Sequence, residues 1–574
     1  MPRRCWGWLR RGCFVGVLLS LVVNVFLIRV GYYRSSYDAY VHIFFADHYR
    51  REWFNLWETK WYGGFSVATY PPLFHQVVAL LSFALGVKYA YEVACVFAAL
   101  LIVYGVYRLT YVLDRRAVFW GSIIAAFMPS VGLFMHSFGQ LPMMFSTGLA
   151  LVAVSLFYEY LVSGGVLRLL ASTFLLTSVV ICHHLTIVFF GVPLLVVMVL
   201  AGVIFNEARL DRMFKGGVIL VVASAIISFV VLKPYIEDFR TLTLQAAIPH
   251  GTRENIFSNL TFSVMFFWAI YSFTVCLLPN AVVIAYRRRK FLPLFLLFIF
   301  HFVIGLGGTT PLPSLVFGEM WKILTYDKFA FWASILYIPF LAVMAENAGV
   351  FTARFYENVS PGGEPKFTRY LLIVGLVTAL ALSYVLASGA AIHLGLRPND
   401  ELPEDLLRNL ASFLNEYKDY YYITLGFNSQ RLRLNIMSSA PSLDGGYNSA
   451  RLNPLLAKSG VENIDAAKFF PNGLGLLKSI LSRASSLGLK HVICADSFYD
   501  PILMDYGFTA VEEYDAGGKK IKIWELGGAQ KAGLNDKVIV YLPWSVLPLI
   551  CLAAGLGMVL ALNLKEVGVH GKAR

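Results

Sequence analysis

Apolar residues run along this chain in long blocks separated by short polar or basic stretches. A helix needs about 20 residues to cross a bilayer core. Twelve blocks meet or approach that length and predict spans near 12–30, 90–112, 117–136, 141–162, 168–183, 185–205, 216–233, 263–285, 291–307, 329–345, 370–390 and 538–562. The first is too long for a cleaved leader, and no small-residue cleavage site follows it before Arg34. A shorter block, LFHQVVALLSFALG at 73–86, predicts a helix lying at the interface or re-entering the membrane. As a full span it would move Arg115 and Arg116 to the wrong side.

Basic residues give the sidedness. With the N-terminus inside, the segments 1–11, 113–116, 163–168, 206–215, 286–290, 346–369 and 563–574 face inward. They hold 20 basic and 7 acidic residues, an excess equal to the whole formal charge of +13. Lys and Arg concentrate in cytoplasmic loops, so the charge is a topology signal and does not point to nucleic acid. Outside lie the loops 31–89, 234–262 and 308–328 and the segment 391–537, which carries 16 basic and 17 acidic residues. That segment predicts a soluble α/β domain. Helices are expected at 402–417 and 473–487, buried strands at 420–426 and 491–496, and a hairpin of 511–515 with 520–526 around Gly517 and Gly518. The domain order is thus a transmembrane module (1–390), an extracytoplasmic α/β domain (391–537), and a last span with a cytoplasmic tail (538–574).

Composition agrees with a polytopic α-helical membrane protein. Hydrophobic residues make up 58% and charged residues 14%, against about 25% charged in soluble chains. A soluble enzyme is excluded, as are fibrous and disordered proteins. Of the seven cysteines only Cys494 falls in a polar region, and no CxxC pair occurs, so neither a disulfide framework nor a cysteine zinc site is expected.

The unusual polar residues gather at the outer face. In the first outer loop Asp38 and His42 are four apart, one face of a helix. Trp53, Trp57 and Trp61 recur every four residues and predict an interfacial helix with its indoles at headgroup level. Trp61-Tyr62-Gly63-Gly64 and Tyr70-Pro71-Pro72-Leu73 then give a tight turn and a helix entry. His183 and His184 end a span; on a helix their side chains diverge by about 100°, too far to share one metal. His136 and Gln140 lie in a short outer turn, HSFGQLP. Tyr326, Asp327 and Lys328 precede the tenth span, where a cation runs against the charge bias and is placed to meet an anionic headgroup. In the outer domain, Asp444-Gly445-Gly446-Tyr447 reads as a turn, with Asp444 and Tyr447 as candidates to line an acceptor entrance. No Walker A, GxGxxG, HExxH or kinase pattern occurs.

The order of these features resembles the GT-C glycosyltransferases, such as the aminoarabinose transferases and protein O-mannosyltransferases. The matching residues are Asp38 soon after the first span, Gly63 or Gly64, Pro71-Pro72-Leu73 before an interfacial helix, and the HSFGQLP turn. Where that superfamily often has an acidic residue, this chain has Gln140, which speaks against a two-carboxylate or metal-dependent variant. A narrower likeness is to a largely archaeal membrane family labelled "6-pyruvoyl-tetrahydropterin synthase-related". It rests on Asp38-to-His42, Tyr70-Pro71-Pro72, His183-His184, Thr310-Pro311-Leu312-Pro313, Asp327-Lys328-Phe329 and Gly488-Leu489-Lys490-His491-Val492-Ile493.

The resemblance implies an inverting glycosyltransferase. It would move a sugar from a polyprenyl- or dolichyl-phosphate donor to a glycan, lipid or protein acceptor on the outer membrane face, with no cofactor required. Asp38 would be the general base. His42, His136, Gln140, His183, His184, Tyr326, Asp327, Lys328, Asp444 and Tyr447 would surround donor phosphate and substrates. The alternatives are a flippase or transporter for lipid-linked sugars, and a non-catalytic assembly protein. A transporter is expected to show repeats and midplane polar residues, and this chain shows neither.

Overall fold

The computed structural model describes residues 3–242, 245–253, 260, 267–359, 365–395, 401–533 and 537–571. Among them, nine helices are long and apolar enough to cross a membrane: Gly12–Val30, Val87–Leu113, Val118–Phe138, Leu141–Ser163, His184–Ile204, Leu210–Asp238, Ala269–Arg287, Asp327–Ala348 and Leu542–Lys565. Each falls on a predicted span. The other three predicted spans coincide with the shorter helices Val166–Val180, Leu292–Ile304 and Ile373–Ser388. The first residues of the span expected at 263–285 lie outside the described residues. Its remainder is not one continuous helix: the chain breaks at Ser272 (φ 50°) and winds as a 3-10 turn over Ser272–Leu277 before Leu278–Arg287.

Leu141–Ser163 is the enclosed centre of the bundle. Small residues let its neighbours close in, the way helices approach where no hydrophobic drive exists between them. We name α1 (Arg3–Val30), α2 (Ala39–Arg51), α3 (Leu73–Leu85) and α4 (Val87–Leu113). Where α4 crosses Leu141–Ser163, a Cβ on Gly105 would stand 2.6 Å from Leu151 Cβ, and one on Gly148 2.7 Å from Leu101 Cβ. Along Leu210–Leu242, by contrast, Phe214, Val218, Val222, Ile226 and Phe229 are exposed, the apolar stripe of a helix that faces lipid.

The block at 73–86 forms α3, which buries Phe74, His75 and Val78 while Leu80 and Phe83 stay exposed. The tryptophan stripe does not form. α2 ends at Arg51 and the chain turns into a short antiparallel pair, β1 (Trp57–Glu58) with β2 (Phe65–Ser66). Trp61 is fully buried, stacked on Phe44 with ring centroids 3.6 Å apart, and donates from Nε1 to Asn435 Oδ1 at 3.2 Å. It anchors the α/β domain instead of marking a headgroup layer.

In that domain β3 (Tyr421–Leu425), β4 (Leu489–Cys494), β5 (Phe508–Ala516) and β6 (Lys519–Leu526) make one sheet in the order β3-β4-β6-β5. β3 and β4 are parallel, so the connection between them crosses over through helices that include Gln430–Met437 and Gly473–Leu481. β5 and β6 form the hairpin, turning at Gly517 and Gly518. The domain sits on the first loop: Lys60 Nζ donates to Ile436 O at 3.2 Å, and Ser442 N to Lys60 O at 2.8 Å. The approach to the last span is tied to the same loop, with Leu56 N donating to Ile539 O at 2.8 Å and Trp544 Nε1 to Tyr49 OH at 2.8 Å.

Candidate active site

Asp38 follows the first span directly. α1 closes at Gly31 (φ 91°), a 3-10 turn covers Tyr32–Ser35, and Asp38 becomes the N-cap of α2. Asn and Asp usually spend their side chains on such a cap; the Asp38 carboxylate makes no cap hydrogen bond. Its backbone is held instead: Asp38 N donates to Phe138 O at 3.0 Å, and His42 N to Asp38 O at 3.0 Å. Gly139 (φ 77°) lies against that backbone so closely that a Cβ there would stand 3.0 Å from Asp38 N. The half-buried carboxylate has the Tyr70 and Tyr91 phenols as electrostatic neighbours.

A group of imidazoles lies beside it. His42 Nδ1 and His75 Nε2 are 3.0 Å apart, and His75 stacks on Phe45 at 4.9 Å. Burial holds the His42 ring down to about 3. His183 has His42, His184 and Lys328 as electrostatic neighbours. The sequence expectation that His183 and His184 diverge on a helix is overturned. The preceding helix stops at Val180, and His183 is extended (φ −156°, ψ 103°) as the N-cap of the next turn, so the two rings lie side by side with centroids 5.8 Å apart. His183 Nδ1 caps that turn by accepting from Thr186 N at 3.3 Å. His184 meets Tyr235 OH at 3.4 Å.

The third group comes from the start of Asp327–Val359. Asp327 is buried and its Oδ2 accepts from Gln140 Nε2 at 2.6 Å, while Asp327 Oδ1 and Gln140 Oε1 have no partner. Lys328 is half-buried, donates to Thr325 Oγ1, and makes no ion pair among the described residues. Tyr326 joins only as packing, its hydroxyl turned to Trp321 O at 2.9 Å.

Sequence reasoning gave little weight to His75 and none to Tyr70, Tyr235, His250 or Arg253. His250 is an electrostatic neighbour of Asp327 and Lys328, and Arg253 braces their loop by donating to Leu324 O at 2.9 Å and Ile248 O at 2.6 Å. The one local signal was Tyr70 and His75 flanking Pro71-Pro72.

Two candidates stand apart. His136 is not in a turn: the helix winds on to Phe138, and His136 Nε2 meets Asn24 Oδ1 at 3.3 Å, which also accepts from Tyr384 OH at 2.7 Å. It ties α1 to Pro365–Ser388. Asp444 is buried within the α/β domain, where its Oδ2 accepts from Ile464 N at 2.8 Å and Asp465 N at 3.2 Å; it braces a turn. Tyr447 does reach the site. Its hydroxyl donates to Thr69 O at 3.2 Å and its ring lies 5.3 Å from that of Tyr70.

A cavity of about 590 Å³ opens between α1 and α4, lined by Val25, Ile28, Arg29, Tyr89, Glu92 and Val96. Another, of about 470 Å³, lies between Phe273, Leu341 and Leu376. Asp38 lines neither. Among the described residues no group of three or more His, Cys, Asp or Glu side chains is arranged to hold a metal ion.

No protein-family model and no curated protein matches the chain. Solved structures do. ArnT from Cupriavidus metallidurans bound to undecaprenyl phosphate superposes with a TM-score of 0.53 at 11% identity, over 92% of this chain and 99% of that one. Its apo state gives 0.51 at 12% identity, over 89% and 98%. Arabinofuranosyltransferase AftD from mycobacteria gives 0.51 at 15% identity, over 92% of this chain and 40% of AftD. At such identities the likeness is one of fold: the chain shares the multi-pass GT-C architecture of these membrane glycosyltransferases. The narrower pterin-labelled likeness finds no counterpart in these comparisons.

Proposed function

We propose that this chain is an inverting membrane glycosyltransferase that moves a sugar from a polyprenyl-phosphate donor to a glycan, lipid or protein acceptor, at the face carrying the α/β domain and outside the cell. The observation that carries the reading is the Asp38 carboxylate, uncommitted at its own helix cap and set beside buried imidazoles and the Lys328 ammonium. The fold shared with ArnT, solved with undecaprenyl phosphate, supports it.

In the step proposed, the acceptor hydroxyl gives its proton to Asp38 as its oxygen bonds to the anomeric carbon. The bond from that carbon to the phosphate oxygen breaks, and its electron pair leaves on the lipid phosphate. One displacement inverts the centre. A positioned carboxylate contributes about 10²–10⁴-fold. Hydrogen-bond donors aimed at the leaving oxygen contribute about 10²–10³-fold each, and Lys328 and the imidazoles are placed for that task.

The test is sugar transfer in liposomes, with synthetic short-chain polyprenyl-phosphate sugars as donors and host membrane extract as acceptor, comparing wild type with Asp38→Asn. Transfer by wild type, lost in a variant that still binds donor, supports the reading. Transfer surviving in the variant removes Asp38 as base. Donor binding without transfer by either protein, across acceptor extracts, favours a flippase or binding protein.

A further inference from the structure

A hydrogen bond between two buried histidines leaves one proton for one bridge, and the remaining nitrogens decide which ring supplies it. His42 and His75 are 4% and 0% exposed, and their facing nitrogens, Nδ1 and Nε2, are 3.0 Å apart. The outer nitrogen of His75, Nδ1, is buried without a hydrogen bond; the carbonyl of Pro71 is its polar neighbour but falls short of bonding geometry. A proton there would be an orphaned buried donor, which native structures avoid. Placed on Nε2 it has a partner. Phe45, stacked on His75 at 4.9 Å, and Tyr70 and Phe74, against His42 at 5.8 and 6.1 Å, hold both rings in place.

We propose that His75 is a positioning residue: its Nε2–H donates to His42 Nδ1, so that His42 keeps its proton on Nε2 and offers a neutral N–H to an anionic oxygen of the donor phosphate. His42 Nε2 makes no hydrogen bond among the described residues, and His42 is an electrostatic neighbour of His183, which has Lys328 beside it. Burial keeps both rings uncharged. A neutral imidazole then stabilises the charge growing on the leaving phosphate without giving up its proton, while Asp38, one helical turn earlier, takes the acceptor's. The partner of one ring nitrogen thus sets the role of the other. The phosphate role rests on the function proposed above; the proton's position does not.

Two arms separate these. Nitrogen-15 histidine spectra of the full chain in liposomes, with His42 assigned by its loss in His42→Asn, are expected to show Nε2 protonated and Nδ1 bare. In His75→Phe that signature shifts. In transfer assays His75→Phe is expected to lose roughly tenfold to a hundredfold in kcat, the scale felt when the partner orienting a functional histidine is removed. His75→Gln, whose amide N–H still donates, stays within about threefold of wild type. A wild-type His42 carrying its proton on Nδ1 overturns the proposal, whatever the assay gives. So does a His75→Gln that falls as far as His75→Phe with an unchanged melting temperature. If His75→Phe fails to fold, the wild-type spectrum and His75→Gln still decide. Failure of transfer in wild type counts against the function and leaves the spectral arm intact.

Discussion

Gln140 hands its side-chain N–H to Asp327 across 2.6 Å, joining the turn after one span to the first residue of another helix nearly two hundred positions later. The resemblance expected an acid near 140 and found an amide. The structure puts a carboxylate against that amide from elsewhere in the chain. Phe138 and Gly139, just before Gln140, also grip the backbone of Asp38, so one short turn positions both carboxylates.

It follows that Gln140→Glu harms the protein although it restores the acid of the related enzymes. Two carboxylates would face each other in a buried place, and a charged hydrogen bond worth about 1.5–3 kcal/mol would be lost. Thermal melting and transfer rate should both drop. The double variant Gln140→Glu with Asp327→Gln, which exchanges the partners, should recover most of the melting temperature.

The second prediction concerns acid. Glu58 is buried; burial alone would raise its carboxyl, but the His48 ring at 2.9 Å, Arg51 and Lys60 outweigh that and hold it well below the usual carboxylate range. A depressed acid adds stability that is complete above its unfolded value, about 4.3. That stability is lost as the pH falls towards the folded value. The α/β domain should therefore loosen from the first loop in acid, read by limited proteolysis between pH 7 and 3. Glu58→Gln should loosen it already at neutral pH, by about 3–5 kcal/mol, because His48 and Arg51 are left buried without their counter-charge.

The turn at Gly63-Gly64 makes a third test. Gly64 has φ 104°, and a Cβ on it would stand 2.6 Å from a Trp57 ring carbon; one on Gly63 would meet Tyr421 OH at 2.8 Å. Alanine at Gly64 combines strain with a rigid clash and should cost about 1–3 kcal/mol. Gly63→Ala should press on the α/β domain itself. Melting curves, with cleavage between bundle and domain, separate the two.

Trp61→Phe keeps the stack on Phe44 but removes the bond to Asn435. A loss of about 1–3 kcal/mol is expected, because Asn435 Oδ1 is left buried without that donor. Trp61→Ala, which empties the site, should cost about 3–5 kcal/mol. The difference in melting temperature between the two variants measures the stack.

The bundle was legible because a span is written locally, as a run of apolar residues. The site was legible only in part. Asp38 and His42 share one helical turn, and four-residue spacing reveals that much. The His42–His75 bond joins residues 33 apart and the Gln140–Asp327 bond residues 187 apart, and neither distance leaves a local trace. The His183 break was hidden because Ile181-Cys182-His183 contains no proline or glycine. The tryptophan spacing misled for the opposite reason: a period of four is as compatible with a hairpin whose indoles pack inward as with a helix.

The tie between Leu56 and Ile539 bears on how the protein is made. A ribosome delivers the first loop early and the last span at the end, so the catalytic loop waits for its brace through most of synthesis. Until then the nascent chain can thread its spans yet hold no finished site, and so it is not expected to act on lipid-linked sugar before its own insertion is nearly complete.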